Sequence, residues 1–337
     1  GCDDPSSPLA YDNQGHGTHA AGAAGADKGA PLFHDYADAL APGAKLVILD
    51  AGFIGGDSCT QRPGLGCPTR DLRPVLEQAY LQGARIHSNS WGDLQGVPPP
   101  FTPPTANYSA GAAQIDDFVF NHPDMVVLFN TGNGGALGRS SLSAPGVAKN
   151  SIDVGGAYIN NNGDLTVSDY SGRGPTRDGR LKPDLIGPDF VLAADSDLDV
   201  STRNCNVSSQ PGTSWSSPTV AGAAALVRPY FVDGFYPSGS RNLAAGRNPS
   251  AALVKAVLIA SARPAPLEDS AGVTSFAEAV PSFRQGFGMP VLDDALYFSG
   301  DASKLRIVDR AQTEGLASGQ SYTMRLKVTS DQAVRAV

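Results

Sequence analysis

Basic runs are missing from this sequence. Its 25 Lys and Arg stand against 33 Asp and Glu, a formal net charge of −8. Nowhere do cations cluster closely enough to neutralise successive phosphates, which excludes nucleic acid as the expected partner. Long apolar runs are missing too. The longest, Thr219 to Val227 and Ala251 to Ala262, fall well short of the about 20 residues that cross a bilayer, and Lys255 interrupts the second. Both are expected to be core helices, and no membrane span is expected. The opening residues, Gly1-Cys2-Asp3-Asp4-Pro5, carry neither a basic nor an apolar segment, so no signal peptide is expected within this chain. Cysteine is sparse, with four residues. Cys59 and Cys67 flank a loop rich in Pro and Gly, Gln61 to Gly66, that can bring them together as a disulfide. Exposed free thiols are reactive, and an even count in a loop-rich chain suits an oxidising compartment, so a secreted or lumenal location is expected. Cys2 and Cys205 form a second pair only by being left over. Two glycosylation sequons, at Asn107 and Asn206, add a weak signal.

What is present suffices for one large α/β domain and a smaller one, with 41% hydrophobic and 17% charged residues. Lys45 to Asp50 is a short apolar run of the kind that forms a strand buried on both faces. Asp71 to Gln82 predicts an amphipathic helix with Leu72, Val75, Leu76 and Ala79 on one stripe and Gly83 as its stop. Arg85 to Ser90 predicts a strand, Ala110 to Asn121 a helix, and Met125 to Phe129 a buried strand. This alternation predicts a doubly wound, mostly parallel α/β sheet. Short strands with Gly turns follow at 152–156 and 165–170. The charges of Gly172 to Asp184 are expected in solvated turns with local salt bridges. Ala251 to Ala262 is the last long helix. After about Ser299 the residues alternate apolar and polar (Leu305, Ile307; Tyr322, Met324, Leu326, Val328), which predicts the beginning of a small antiparallel β-sandwich. It stops at Val337 with too few strands to close, so a cut C-terminus is expected. The expected domains are 1–298 and 299–337.

Chemistry concentrates in Gly212-Thr213-Ser214-Trp215-Ser216-Ser217-Pro218-Thr219-Val220-Ala221-Gly222. A small-residue apolar run follows Ser214, and Pro218 is tolerated in a first turn, where its missing N–H has no intrahelical partner. Ser214 is therefore expected at or near a helix N-terminus, whose unpaired N–H groups can stabilise an anion. Alone, such a serine is as readily a helix cap. A serine nucleophile needs an imidazole within hydrogen-bond reach, and Gly15-His16-Gly17-Thr18-His19-Ala20-Ala21-Gly22 supplies one. Together these two stretches closely resemble the histidine and serine motifs of the subtilisin-like serine peptidases. The chain order, His well before Ser, is incompatible with the α/β-hydrolase plan.

The resemblance implies roles residue by residue. His16 carries over as general base and Ser214 as nucleophile. Phe129-Asn130-Thr131-Gly132-Asn133-Gly134-Gly135 resembles the oxyanion-hole segment, so Asn133 carries over as donor and Asn130, Thr131 and Gly132 as one wall of the P1 pocket. Ser90-Trp91-Gly92 resembles the edge segment that pairs with an extended substrate, which makes the expected substrate a polypeptide. No cofactor is expected for catalysis. Family members often bind structural calcium, but no acidic loop here has readable ligand spacing. His16 and His19 lack the Glu of a zinc-binding HExxH motif.

Two departures stand out. Trp215 occupies a position that is usually Met, with Ser216 where a small apolar residue is usual. The family's aspartate motif, an apolar strand ending in Asp-Thr/Ser-Gly, is missing: Asp3, Asp4 and Asp12 are the only acids before His16, and none follows an apolar run. The expectation is a chain truncated ahead of Gly1, with its triad Asp upstream. The alternative is a catalytically inactive relative that binds peptides or protein partners. The sequence sets no oligomeric state.

Overall fold

The computed structural model describes residues 15–29, 33–49, 71–92, 106–160, 163, 165–199, 202, 204–268, 274–275, 279–325, 327 and 337. Asp3, Asp4, Asp12, Cys2, Cys59, Cys67, Leu326 and Val328 lie outside the described residues. Neither expected disulfide can therefore be traced in full, and Cys205 is not a free thiol.

A mostly parallel sheet organises the molecule. Strands β1 (Ile86–Asn89), β2 (Val126–Asn130), β3 (Ile152–Ile159) and β5 (Leu185–Pro188) pair in parallel in that order, and β4 (Leu165–Val167) runs antiparallel to the far half of β3. All five residues of β2 are buried. Successive strand residues point to opposite faces, so both faces must be covered. Helix α4 (Thr213–Val232) lies across β1, β2, β3 and β5, with α1 (His16–Gly25) and α5 (Ala251–Ala260) docked on it. Helix α3 (Ala110–Asn121) packs on β2 and carries α2 (Arg73–Leu81). The stripe read from α2 is real: Leu72, Leu76 and Ala79 are buried beside Ile115 and Phe118 of α3. Serine caps set two helix starts, Ser109 accepting from the Ala112 N–H and Ser250 from the Leu253 N–H. The hairpin β6 (Phe190–Ala194) and β7 (Val207–Pro211) leads into α4. Two small antiparallel pairs follow, β8 (Ala262–Arg263) with β11 (Met289–Pro290) and β9 (Leu267–Glu268) with β10 (Thr274–Ser275).

Four expectations fail in detail. Residues 45–49 form no strand, and Leu46 and Ile48 are exposed. A strand needs a ladder partner as well as apolar side chains, and none is found for them among the described residues. Pro218 is the sixth residue of α4, beyond the first turn where it was expected. Residues 299–325 hold a single 3-10 turn, Gln312–Glu314, and no strand among the described residues. Leu305 and Ile307, expected along a strand, instead pack against the core of the sheet domain.

The last correction concerns 172–184. Asp178–Arg180 does form a local surface pair, but Lys182 and Asp184 are buried. Asp184 is gripped from both sides, by Lys182 Nζ at 2.6 Å and Lys255 Nζ at 2.8 Å, and both ammonium groups also donate to the Ser151 carbonyl. The Asp153 N–H donates to Asp184 as well. Burial works to raise the Asp184 pKa, but Lys182 and Lys255 prevail and hold it below the usual carboxylate value. The neighbouring Asp153 carboxyl has no such grip, and burial pushes it up to about 7 against the pull of Lys182 and Lys255. Sequence charge alone does not separate a solvated turn from a buried ion pair; the packing of β3, β5 and α5 around 182–184 does.

Candidate active site

Helix α4 begins abruptly. Gly212 has φ +153°, in the region that favours glycine, and its N–H donates to the Asp189 carbonyl at 2.9 Å. The first N–H groups of a helix have no intrahelical acceptor, and here they are dealt with one by one. The Thr213 N–H donates to Asn133 Oδ1 at 3.0 Å, and the Trp215 N–H to the Gly212 carbonyl at 3.1 Å. The Ser214 N–H between them meets no acceptor among the described residues.

The bond from the Thr213 N–H decides the orientation of Asn133. A backbone N–H can only donate, so the amide atom it meets is the carbonyl oxygen, and the Asn133 Nδ2 group is turned the other way. The Thr213 hydroxyl reinforces this, donating to the same Oδ1 at 2.8 Å, and it in turn accepts from Asn130 Nδ2 at 3.0 Å. Asn130 and Thr213 are buried, while Asn133 at the end of the relay is exposed. The Asn130 Oδ1 is buried with no partner among the described residues. Thr131 is fully buried, its hydroxyl accepting from the Gly172 N–H, and Gly132 accepts from the same N–H through its carbonyl.

Pro218 accounts for a second tie. The Ser214 carbonyl would ordinarily accept from the N–H four residues on, which proline lacks. The Ser90 hydroxyl donates to that carbonyl instead, and Ser214 Oγ lies 3.5 Å from the Ser90 carbonyl, a weak contact. The nucleophile candidate, 9% exposed, is thus held beside the segment that continues β1. Trp91 is half-exposed, with its ring edge-on to Phe129 at 5.3 Å and its N–H donated to Asn89 Oδ1. Gly92 packs so closely on Ser143 that a Cβ would stand 2.7 Å from the Ser143 Cβ.

Asn89 also donates to His87 Nδ1 at 2.9 Å, which places the His87 proton on Nε2. Burial pushes the His87 imidazole down to about 4. The unfolded chain takes up this proton below about 6.5 and the folded chain only below about 4, so stability is lost as pH falls through that window, by about 3 kcal/mol. The stability difference between the wild-type protein and a His87→Leu variant should therefore shrink by about that amount between pH 7 and pH 4. Urea unfolding at the two pH values measures it, and a constant difference would rule the buried neutral imidazole out as its source.

His16 opens α1, and α1 approaches α4 closely enough that a Cβ on Gly222 would stand 3.2 Å from the Ala24 carbonyl. At this junction the Trp215 ring meets both imidazoles, His16 at 4.8 Å tilted by 44° and His19 at 4.3 Å edge-on. His19 is fully buried, and burial lowers its pKa. The structure thus gathers Ser214, Asn133, Ser90 and His16 around the first turn of α4. The part of Trp215 as the contact between the two helices was not visible in the sequence. Nor was the Thr213 link, although the proline four residues after Ser214 was a signal that its carbonyl needed an outside donor. Among the described residues no group of three or more His, Cys, Asp or Glu could hold a metal, and no helix is long and apolar enough to cross a membrane.

The sheet, the order of its motifs and this junction define a serine-peptidase-like α/β protein. A model of the subtilase family, Peptidase_S8, matches residues 3–288, and the chain belongs to that family. It is 28% identical over 393 aligned positions to the serine protease/ABC transporter B family protein tagD of Dictyostelium discoideum, covering 87% of this chain and 21% of tagD. With tagB of the same organism, of the same description, it shares 26% identity over 75% of this chain and 17% of tagB. The chain therefore spans about a fifth of the length of these relatives. Among solved structures, the Clostridium perfringens CspB protease superposes with a TM-score of 0.56 at 16% identity, over 84% of this chain and 79% of that one, a likeness of fold.

Proposed function

We propose that this chain is a serine endopeptidase that hydrolyses peptide bonds, with Ser214 as nucleophile, His16 as general base and Asn133 as oxyanion donor. The observation that carries the reading is the clamp of Asn133 Oδ1 onto Thr213, which leaves Nδ2 free of that clamp and close to the same point beside Gly212 as the Ser214 N–H, itself without an acceptor among the described residues. Two N–H donors beside a serine at a helix N-terminus suit an oxyanion that forms on the substrate carbonyl. In the first step Ser214 Oγ bonds to that carbonyl carbon and its proton passes to His16. The C–N bond then breaks as His16 returns the proton to the leaving amine, and water releases the acyl group by the same route. An extended polypeptide would lie along Ser90 to Gly92, its main chain pairing with theirs. The carboxylate that orients His16 stays unassigned, since Asp3, Asp4 and Asp12 lie outside the described residues.

A fluorophosphonate probe tests the reading, because it bonds only to a serine that has been activated. Mass spectrometry of the labelled protein should place the adduct on the peptide containing Ser214, and a Ser214→Ala variant should take up none. Absence of label on the folded full-length protein, or label of equal extent in the variant, would sink the proposal and favour a relative that only binds peptides.

A further inference from the structure

Resting on that reading, we propose that the indole N–H of Trp215 is a third donor to the oxyanion, which makes Trp215 a catalytic residue. Trp215 is 3% exposed, and its Nε1, which can only donate, is buried with no partner among the described residues. A buried N–H without an acceptor is costly and rare in native structures, and it calls for an explanation. The ring is not free to swing toward a partner, since His19 packs edge-on against it and His16 lies over it on the α1 side.

Where the N–H sits supplies the explanation. The space that a Cβ on Gly212 would occupy is 3.4 Å from Trp215 Nε1, 3.9 Å from Asn133 Nδ2 and 3.9 Å from the Ser214 nitrogen. Three N–H groups thus lie within 4 Å of one point beside Gly212, next in the chain to the nucleophile's turn, where any side chain at residue 212 would stand in the way. A carbonyl oxygen packed against Gly212 Cα, beyond that point at van der Waals distance, would face all three, and two of them are the donors already assigned to the oxyanion. Among the described residues the indole N–H meets no acceptor. In the transition state it gains a charged acceptor, and only an interaction stronger in the transition state than in the ground state speeds the chemical step.

The test compares variants of the full-length protein on one peptide substrate. Trp215→Phe keeps a ring between the histidines and removes the N–H. Benzothienylalanine at 215 keeps the full indole shape with sulfur in place of the N–H, and decides the matter if the phenylalanine variant folds poorly. Both should lower kcat by about tenfold or more while KM changes less than about twofold, since one oxyanion donor is worth about 10²–10³ in kcat at most. Both should also weaken a peptide boronic acid, whose tetrahedral adduct carries the mimicked oxyanion, by a factor similar to the kcat loss. Unchanged kcat in the benzothienylalanine protein, or a loss that falls on KM alone, overturns the proposal. Asn133→Ala and Ser214→Ala run alongside separate the two readings. If both lose activity while the 215 variants keep it, only the indole's role fails; if neither loses activity, the peptidase assignment fails with it.

Discussion

Replacing Ser214 by alanine is expected to lower kcat on a peptide substrate by a factor on the order of 10⁶, a size known from the equivalent serine of subtilisin itself and taken over for this chain. The physical ground is that the serine hydroxyls around Ser214 are engaged or enclosed. Ser90 spends its proton on the Ser214 carbonyl, and Ser216 and Ser217 are wholly buried within α4. The fold should be indifferent to the change. Among the described residues Ser214 Oγ makes only the 3.5 Å contact with Ser90, and the ties that seat the first turn run through Thr213 and the Ser214 main chain. Melting temperature and kcat measured on the same samples therefore separate the two effects. A variant that keeps activity within about tenfold of wild type would remove Ser214 as nucleophile, because the oxyanion donors and binding alone supply only about 10³–10⁴ over water.

The largest stability effect is expected at Asp184. Asp184→Asn keeps the shape but leaves the Lys182 and Lys255 ammonium groups facing each other across the Ser151 carbonyl with their shared counter-charge gone. Lys182 is almost wholly enclosed, with 3% of its side chain exposed. Stranding a buried charge in this way costs about 3–5 kcal/mol, and the melting temperature should fall by about 10 °C for a domain of this size. Asp71→Asn, which breaks the exposed pair with Arg73, is the matched control and should scarcely move it. A melting point for Asp184→Asn within about 1 °C of wild type would show that the lysines find other partners or lose their protons. Activity should weaken along with stability. Asp184 leads directly into β5, and the residue after β5, Asp189, accepts the Gly212 N–H that sets the start of α4.

Much of the candidate site was legible in the order of residues alone. HGTHAAG and GTSWSSPTVAG name chemistry because nucleophile and base need particular residue types and small neighbours. The helices at 73–81, 110–121 and 251–260 and the strands at 86–89 and 126–130 followed from apolar spacing and caps. These are local properties, carried by a few adjacent residues. What only the tertiary structure decided are the interactions between segments far apart in the chain. The run at 45–49 has the composition of a strand but gains no ladder partner among the described residues, and Leu305 and Ile307 alternate yet join the sheet domain's core. Lys182 and Asp184 read as surface charges until Lys255, more than seventy residues on, closes over them. Asn133 could be named as a donor from its motif, but the direction of its amide depends on Thr213 and Asn130, and the indole N–H of Trp215 acquires meaning only beside Gly212 and Asn133. Hydrogen bonds depend on direction and on sub-ångström distance, and neither is encoded in the identity of one residue: both arise when the fold brings two segments together.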